Sequence, residues 1–433
     1  MRYDPFRPDS GFLLESDMDY LWHPFTPVRC PSERLFIVRG EGSHVWDLRG
    51  KRYLDAKSAS LHASIGYGNQ EVIESICNQM KVLMNFDLMG FTNPPAAHLA
   101  SVLASILPGE LSKSFFCLSG SEAMEAALKM AFSFQAARGE SARSTVVGVN
   151  DGYHGATLGA LSITSIAGTG FGYPKLDCPV HLIPRPSPTT AVSLADIFGH
   201  LDPTTVVAMV LEPLQGVAGI HLMPDLFLQQ AATFCKENGI VLIFDEVFTG
   251  FGRTGKMFAC EYSGAIPDIL TASKGITGGY VPLSTISVTD SFYQTFADDP
   301  VMGGFRHGHT NSGHATACAC ALAVINIIRR DGLVENAATL GRHLLASLRS
   351  ALPSDCIVEV RGLGLAIGVE FGTSMQADAV NSACRERGLI LRYVPGTHVL
   401  AIVPPLILVR EEADFIIAVI IDSIKQSISE GKN

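Results

Sequence analysis

The ten cysteines of this 433-residue chain form no C-x-x-C pair, and Cys318 and Cys320 stand too close in sequence for an ordinary bridge. That argues against a disulfide framework and leaves free thiols in a reducing cytoplasm as the expectation. No basic run occurs and the net charge is −10, which argues against a nucleic acid or an anionic membrane surface as partner. No apolar stretch reaches the roughly 18 residues that span a bilayer. The opening Met1-Arg-Tyr-Asp-Pro-Phe-Arg-Pro-Asp is polar and broken by proline, so no secretory signal is expected. Internal repeats and low-complexity segments are lacking as well. What is present is 47% hydrophobic, ample for a large core and about two to three domains by length.

The first 20 or so residues read as an arm. Residues 35–55 alternate around Gly and Asp turns, as a small antiparallel meander should. From about residue 72, helical and strand patterns alternate in the βα manner of a mainly parallel sheet. Strands are expected at 114–118, 145–149, 206–211, 241–244 and 282–288, with a short apolar one after Asp268. A long amphipathic stretch at 313–330 leaves this unit. Beyond it, 356–370 reads as strands, 377–387 as a helix, 389–392 as another strand, and a last helix begins near 410. The expected division is an arm with part of a small domain (1–70), a large domain (71–325) and a small C-terminal α+β domain (326–433).

Five apolar residues, Ile240 to Phe244, deliver Asp245 at their end and read as a buried parallel strand. Open α/β sheets place ligands at that edge. A Gly-rich stretch follows, Thr249-Gly-Phe-Gly-Arg253-Thr-Gly255, and Ser273-Lys274-Gly275 stands 29 residues beyond the aspartate. A strand-end acid or a loop lysine alone says little. Together they match the needs of one cofactor, pyridoxal 5'-phosphate, which takes a Schiff base from lysine and a pyridinium partner from aspartate. A buried Asp245 stays ionised only beside a cation, and a protonated pyridine nitrogen is one. Lys274 must lose its proton to attack an aldehyde and later to shuttle protons, and burial favours that. The bland alternative is a strand-end lysine paired with a carboxylate.

Ser119-Gly120-Ser121-Glu122 follows a strand and opens a helix with apolar residues at 123, 124, 127, 128 and 131. Backbone N–H groups at such a start form a phosphate site, although Ser and Glu in this spacing also read as a simple capping box. Asp151-Gly-Tyr153-His154-Gly155 lies past another strand end. Tyr153 can stack on a planar cofactor, and Gly155 permits close backbone approach. Tyr153 could equally pack on the core, and His154 could be a hydrogen-bonded loop residue. Glu212-Pro-Leu-Gln215-Gly216 ends the strand before that of Asp245, with Glu212 read as a structural acid. His307, His309 and His314 do not read as a zinc site, because no cysteine or carboxylate completes a set, and no metal is expected.

On these residues the chain resembles the class III aminotransferases, pyridoxal-phosphate enzymes of fold type I, from about Trp22 to about Pro405. Gly308-His309-Thr310 with Ser312-Gly313-His314 adds to the likeness. The resemblance implies an α/β fold: a large cofactor-binding domain on a mainly parallel seven-stranded sheet, with a smaller α+β domain built from the N- and C-terminal segments. It implies Gly120 and Ser121 on the phosphate, Tyr153 over the pyridine ring and Val247 on its opposite face. His154 would lie beside the cofactor, Gln215 near its 3'-oxygen, and Arg253 would support the Gly-rich loop. Thr310 would reach the phosphate of a neighbouring subunit, so a homodimer with shared sites is expected.

The subgroup rests on fewer residues. Arg392 matches the arginine that binds substrate carboxylate in the ω-amino-acid:pyruvate transaminases and in diaminopelargonate synthase, and a guanidinium fork suits that task. Ornithine and γ-aminobutyrate aminotransferases carry an arginine where this chain has Ala401, and a gating glutamate near Val217. Trp22-His-Pro-Phe-Thr26 resembles the entry motif of the synthase and of several ω-transaminases. The synthase's aromatic pair should fall near Ser60-Leu61-His62, and ω-transaminases usually have tryptophan at His62, so both patterns are departed from. The expectation is transfer of an amino group from a primary amine or ω-amino acid to an α-keto acid, pyruvate, in ping-pong half-reactions through Lys274. Trp22, His62 and Arg392 would bind substrate. The alternatives are a diaminopelargonate-synthase-like transaminase, an aminomutase or decarboxylase on the same scaffold, and a cofactor-binding protein without catalysis.

Overall fold

Runs of β-branched and apolar residues build the central sheet, and a computed structural model describes it within residues 10–29, 34–175, 177–186, 194, 201–352, 356–393 and 397–430. Its seven strands are β1 (Leu111–Cys117), β2 (Thr145–Val149), β3 (Val180–Ile183), β4 (Val206–Leu211), β5 (Val241–Asp245), β6 (Ile269–Ala272) and β7 (Ser284–Thr289). They lie in the order β1-β7-β6-β5-β4-β2-β3. All neighbours pair in parallel except β7, which runs antiparallel to both β6 and β1. Strands β2, β4, β5 and β6 are buried along their whole length, as a parallel sheet covered on both faces requires.

Alternation along β5 sorts its side chains. Val241 and Ile243 join the core formed with Met124, Ala127 and Ala131 of helix α1 (Gly120–Ala137). Leu242 and Phe244 join the opposite core, with Phe227 and Leu228 of helix α2 (Asp225–Asn238). The period of two therefore puts Asp245 on the α1 side. Helix α1 starts where it does because Ser119 Oγ accepts from the Glu122 N–H at 3.2 Å, while Glu122 accepts from the Leu118 and Ser119 amides at 2.8 and 3.2 Å. Helix α2 stops at Gly239, whose φ of +65° is left-handed.

The terminal segments form two further sheets. Ile37–Glu41, His44–Asp47 and Arg52–Asp55 make the expected meander, and Leu389–Ile390 adds to Arg52–Asp55 in parallel. Ile357–Leu363, Ala366–Phe371, Val399–Ile402 and Arg392–Tyr393 make an antiparallel sheet. The single strand expected at 389–392 is thus two strands in different sheets, divided at the buried Leu391. Strand β3 was not expected: it is a four-residue edge strand, only half-buried for three of its residues, with no alternation to mark it. Helices Ala315–Arg330, Leu333–Ala351, Ser374–Glu386 and Arg410–Glu430 follow the sheet, and helix Ser10–Tyr20 precedes the meander. Among the described residues no helix is long and apolar enough to cross a membrane.

Candidate active site

A cavity of about 170 Å³ opens at the C-terminal edge of β4, β5 and β6. Gly120, Ser121, Tyr153, His154, Asp245, Val247 and Lys274, all singled out above, line it. Asp245 is 5% exposed. One carboxylate oxygen accepts from the Val247 N–H at 3.0 Å and the other faces His154 Nδ1 at 2.8 Å. Burial opposes a charge on His154, but the Asp245 carboxylate, with Glu212 behind it, outweighs burial and leaves the imidazole above its ordinary pKa. His154 thus stands behind Asp245 and fixes the orientation of its carboxylate.

Lys274 follows β6 after one residue. Its φ of +40° is left-handed, a conformation that costs a side-chain-bearing residue about 1–2 kcal/mol and is found at functional sites. Burial lowers its amine to about 8, with Arg392 and Arg253 lowering it further and Asp245 and Glu212 opposing. Its Nζ lies 5.5 Å from the centre of the Phe248 ring.

Glu212 ties two walls of the cavity together. One oxygen accepts from the Tyr153 N–H at 2.9 Å and the other from the Gly216 N–H at 3.3 Å. Burial, aided by Asp245 and opposed by His154, pushes its carboxyl up to about 7. Behind the wall, Gln215 is buried. Its Nε2 donates to Asn150 O at 2.9 Å, and its Oε1 has no partner among the described residues. Arg392 is half-buried, donates to Gly216 O at 3.2 Å and sits within electrostatic reach of Lys274 and Tyr153. The Gly-rich loop is held from within and from outside: Glu246 accepts from Thr249 and from the Ala259 and Cys260 amides at 3.0 and 2.8 Å. The buried Arg253 donates to Leu365 O at 3.0 Å and to Pro404 O.

The other expected residues lie apart. The His62 ring nitrogen stands against the Ser60 N–H and Ser58 O, and the ring lies beside Gly279, while its neighbour Leu61 lines the cavity. Thr310 is exposed outside the cavity, although His309 Nδ1 approaches Glu122 at the start of α1 to 4.0 Å. Trp22 is 88% exposed and lines a separate groove along the N-terminal arm. Leu61, Phe248 and Ser273 line the cavity without having been singled out as site residues. Apolar Leu61 and Phe248 carry no chemical signature, and only their position beside His62 and Val247 could have marked them.

The residues present fit pyridoxal 5'-phosphate. The first amides of an 18-residue helix lack helical acceptors and carry the positive end of its dipole, which suits a phosphate. A Cβ on Gly120 would come within 2.8 Å of Val247 Cγ1, so only glycine keeps that approach open. The unpartnered Gln215 Oε1 suits a hydroxyl donor, and Asp245 and Lys274 supply the acid and the amine.

Residues 27–424 match the Aminotransferase class-III family. The chain is 34% identical to the adenosylmethionine-8-amino-7-oxononanoate aminotransferase of Geobacter sulfurreducens, over 97% of this chain and 98% of that protein. It is similar to a thermostable (S)-enantioselective omega-transaminase from Thermomicrobium roseum, at 32% identity and a TM-score of 0.90 over 98% of both chains. The omega transaminase of Pseudomonas jessenii in complex with PMP superposes with a TM-score of 0.91 at 30% identity, over 96% of this chain and 98% of that one. Likeness of sequence and of structure over nearly the whole length makes this chain a class III aminotransferase, a pyridoxal-phosphate enzyme of fold type I.

Proposed function

We propose that this aminotransferase moves an amino group from a primary amine or ω-amino acid to an α-keto acid, with pyruvate as acceptor. The observation that carries the reading is one cavity holding the lysine amine lowered to about 8, with a guanidinium, Arg392, in its electrostatic reach. Pyridoxal 5'-phosphate, when bound, supplies an aldehyde and an electron sink for the substrate carbanion. The amides of Gly120 and Ser121 would hold its phosphate, Tyr153 and Val247 its two faces, and Gln215 its 3'-oxygen. Asp245 would keep a proton on the pyridine nitrogen, with His154 orienting the carboxylate. Lys274 would hold the cofactor through its amine and would carry a substrate proton off and back. Arg392 pairs with the carboxylate of the keto acid.

The working form in this reading is a cytoplasmic homodimer, with Thr310 serving the partner's phosphate. Its exposure outside its own cavity supports that. His62 and Trp22 then shape the substrate entrance. A second reading, a diaminopelargonate-synthase-like transaminase, is supported by relatives such as the one from Geobacter sulfurreducens, and weighed against by the apolar Leu61 in the cavity wall.

One panel tests both. Amine donors are added to the holoenzyme and loss of the cofactor's visible absorbance is followed, then pyruvate, 2-oxoglutarate or 8-amino-7-oxononanoate is added and its recovery followed. Turnover with simple amines and pyruvate is expected. Turnover confined to S-adenosylmethionine and 8-amino-7-oxononanoate would transfer the assignment to the second reading. Loss of carbon dioxide, or an amino shift within one molecule, would point instead to a decarboxylase or an aminomutase.

A further inference from the structure

The cavity wall that carries Gly216 and Val217 is a turn between two short strands, Leu214–Gln215 and His221–Leu222, paired Gln215 to His221. Two arginines of a single sheet hold this turn, one near each end. Arg392, on Arg392–Tyr393, donates to Gly216 O at 3.2 Å. Arg361, on Ile357–Leu363, is 5% exposed and donates Nε–H to Gly219 O at 2.9 Å. Its Nη2 lies 3.1 Å from His221 Nε2, and its Nη1 donates to Glu359 at 2.8 Å and to Glu370.

The tautomer of His221 follows from its neighbours. Burial, then the Arg361 charge, lowers the imidazole to about 3, while a bond to the Ala218 backbone opposes. The ring is therefore neutral, donating to Ala218 and accepting from Arg361 at Nε2, so one side chain bolts both arms of the turn to the guanidinium.

The turn does not hold its shape by itself. Ile220, a β-branched residue, has φ +61°, and Gly219 has φ +116°, both in the region that side chains avoid. Contacts impose this shape. Ile220 is buried in a small core with Leu61 and Phe248, which line the cavity, and with Ala366 and Ala401 of the arginines' own sheet. A Cβ on Gly368 would stand 2.8 Å from Gly219 O, so the turn rests flush on that sheet.

We propose that Arg361 is a positioning residue for Arg392: it keeps the Gly216 turn in place while Arg392 leaves Gly216 O to pair with a substrate carboxylate, and so sets the preference between carboxylate-bearing and carboxylate-free substrates. The inference rests on the reading of Arg392 as the carboxylate-binding residue. With Arg392 on a substrate, Gly216 O has lost a charged donor, and an unanchored turn would follow the guanidinium into the space the substrate needs. Arg361, fixed by two glutamates and two turn acceptors, prevents that collapse and leaves a dock to which Arg392 returns. Arg361 does not line the cavity and acts on Arg392 through the turn.

The test is a double-mutant cycle on the holoenzyme with Arg361→Lys and Arg392→Ala. Lysine keeps the charge for Glu359 and Glu370 but cannot reach Gly219 O and His221 together. Arg361→Lys alone should raise the KM for pyruvate about fivefold or more, and in the Arg392→Ala background it should add less than about twofold, because only coupled residues are non-additive. In Arg361→Lys with Arg392 intact, deamination of benzylamine in a single turnover, and the visible absorbance of the bound cofactor, should stay at parent values. His221→Ala should reproduce the pattern and His221→Gln largely restore it, which keeps the test open if Arg361→Lys folds poorly. Multiplicative effects on KM, or benzylamine deamination slowed in step with pyruvate, would overturn the proposal and make Arg361 merely structural. If Arg392→Ala by itself leaves the pyruvate KM unchanged, the reading of Arg392 fails and this inference fails with it.

Discussion

The lowered amine of Lys274 gives a prediction that can be followed quantitatively in the apoenzyme. Burial is the main cause of the shift from 10.5 to about 8, and the neighbouring guanidinium groups of Arg392 and Arg253 add to it. Only the neutral amine attacks the cofactor's aldehyde. At pH 7 a lysine with a pKa of about 8 is neutral about one time in eleven, and an ordinary one about one time in 3,000, a gain of about 300-fold. The perturbation is pH, and the assay is stopped-flow capture of pyridoxal 5'-phosphate by apoenzyme, read at the visible absorbance. Capture by Nα-acetyl-lysine amide, corrected at each pH for the neutral fraction of its own amine, serves as divisor, which removes the cofactor's own titration and leaves that of Lys274. The rate of the apoenzyme should rise about tenfold per pH unit below its pKa and level off near pH 8. Two variants give signed controls. Arg392→Ala removes a cation that lowers the amine, so the break should move up. Asp245→Asn removes a carboxylate that raises it, so the break should move down. A rate climbing without a break past pH 9 would refute the desolvation argument. So would variants that shift the break in the opposite directions.

The remaining predictions concern the same wall and floor. Asp245→Asn should keep fold and cofactor yet slow single-turnover deamination about a hundredfold or more; a rate within about threefold of the parent would show that the ring nitrogen is held by another group. Arg392→Ala should raise the pyruvate KM more than about tenfold while benzylamine is still deaminated near the parent rate; an equal fall in both half-reactions would mean that Arg392 holds the pocket together. Thr310→Ala should weaken cofactor retention, and dilution should cost activity and cofactor together, whereas an active monomer in sedimentation would contradict the shared site. Glu212 has its carboxyl raised from 4.5 to about 7 chiefly by burial, so the folded chain holds a proton that the unfolded chain releases, and its contribution to stability is lost as pH rises through that window. Glu212→Gln should therefore flatten the fall in melting temperature between pH 4.5 and 7, and an unchanged slope would place that titration elsewhere.

Local pattern was enough for much of this molecule. The apolar runs at β2, β4 and β5 read as buried strands and form them, and the Ser119–Glu122 spacing marks the start of α1 as the capping box that forms there. The short edge strand β3 is not legible in the sequence because its partial burial leaves no periodic signal. The split at Leu391 leaves no mark because no glycine, proline or turn residue interrupts 389–392, and only the partners of the two halves differ.

The sequence by itself determined the family and the identity of the residues that β4, β5, β6 and α1 present at one sheet edge, since side-chain period and capping are local properties. Only the tertiary structure decided which neighbours those residues meet. It placed His154 behind Asp245 and Glu212 between Tyr153 and Gly216, and it turned Leu61, not His62, into the cavity. It also brought Arg361 and Arg392, 31 positions apart in the chain, onto one turn from a common sheet. Burial and the field of neighbours set an amine near 8 or a carboxyl near 7, and both depend on contacts between segments that no local pattern of residues encodes.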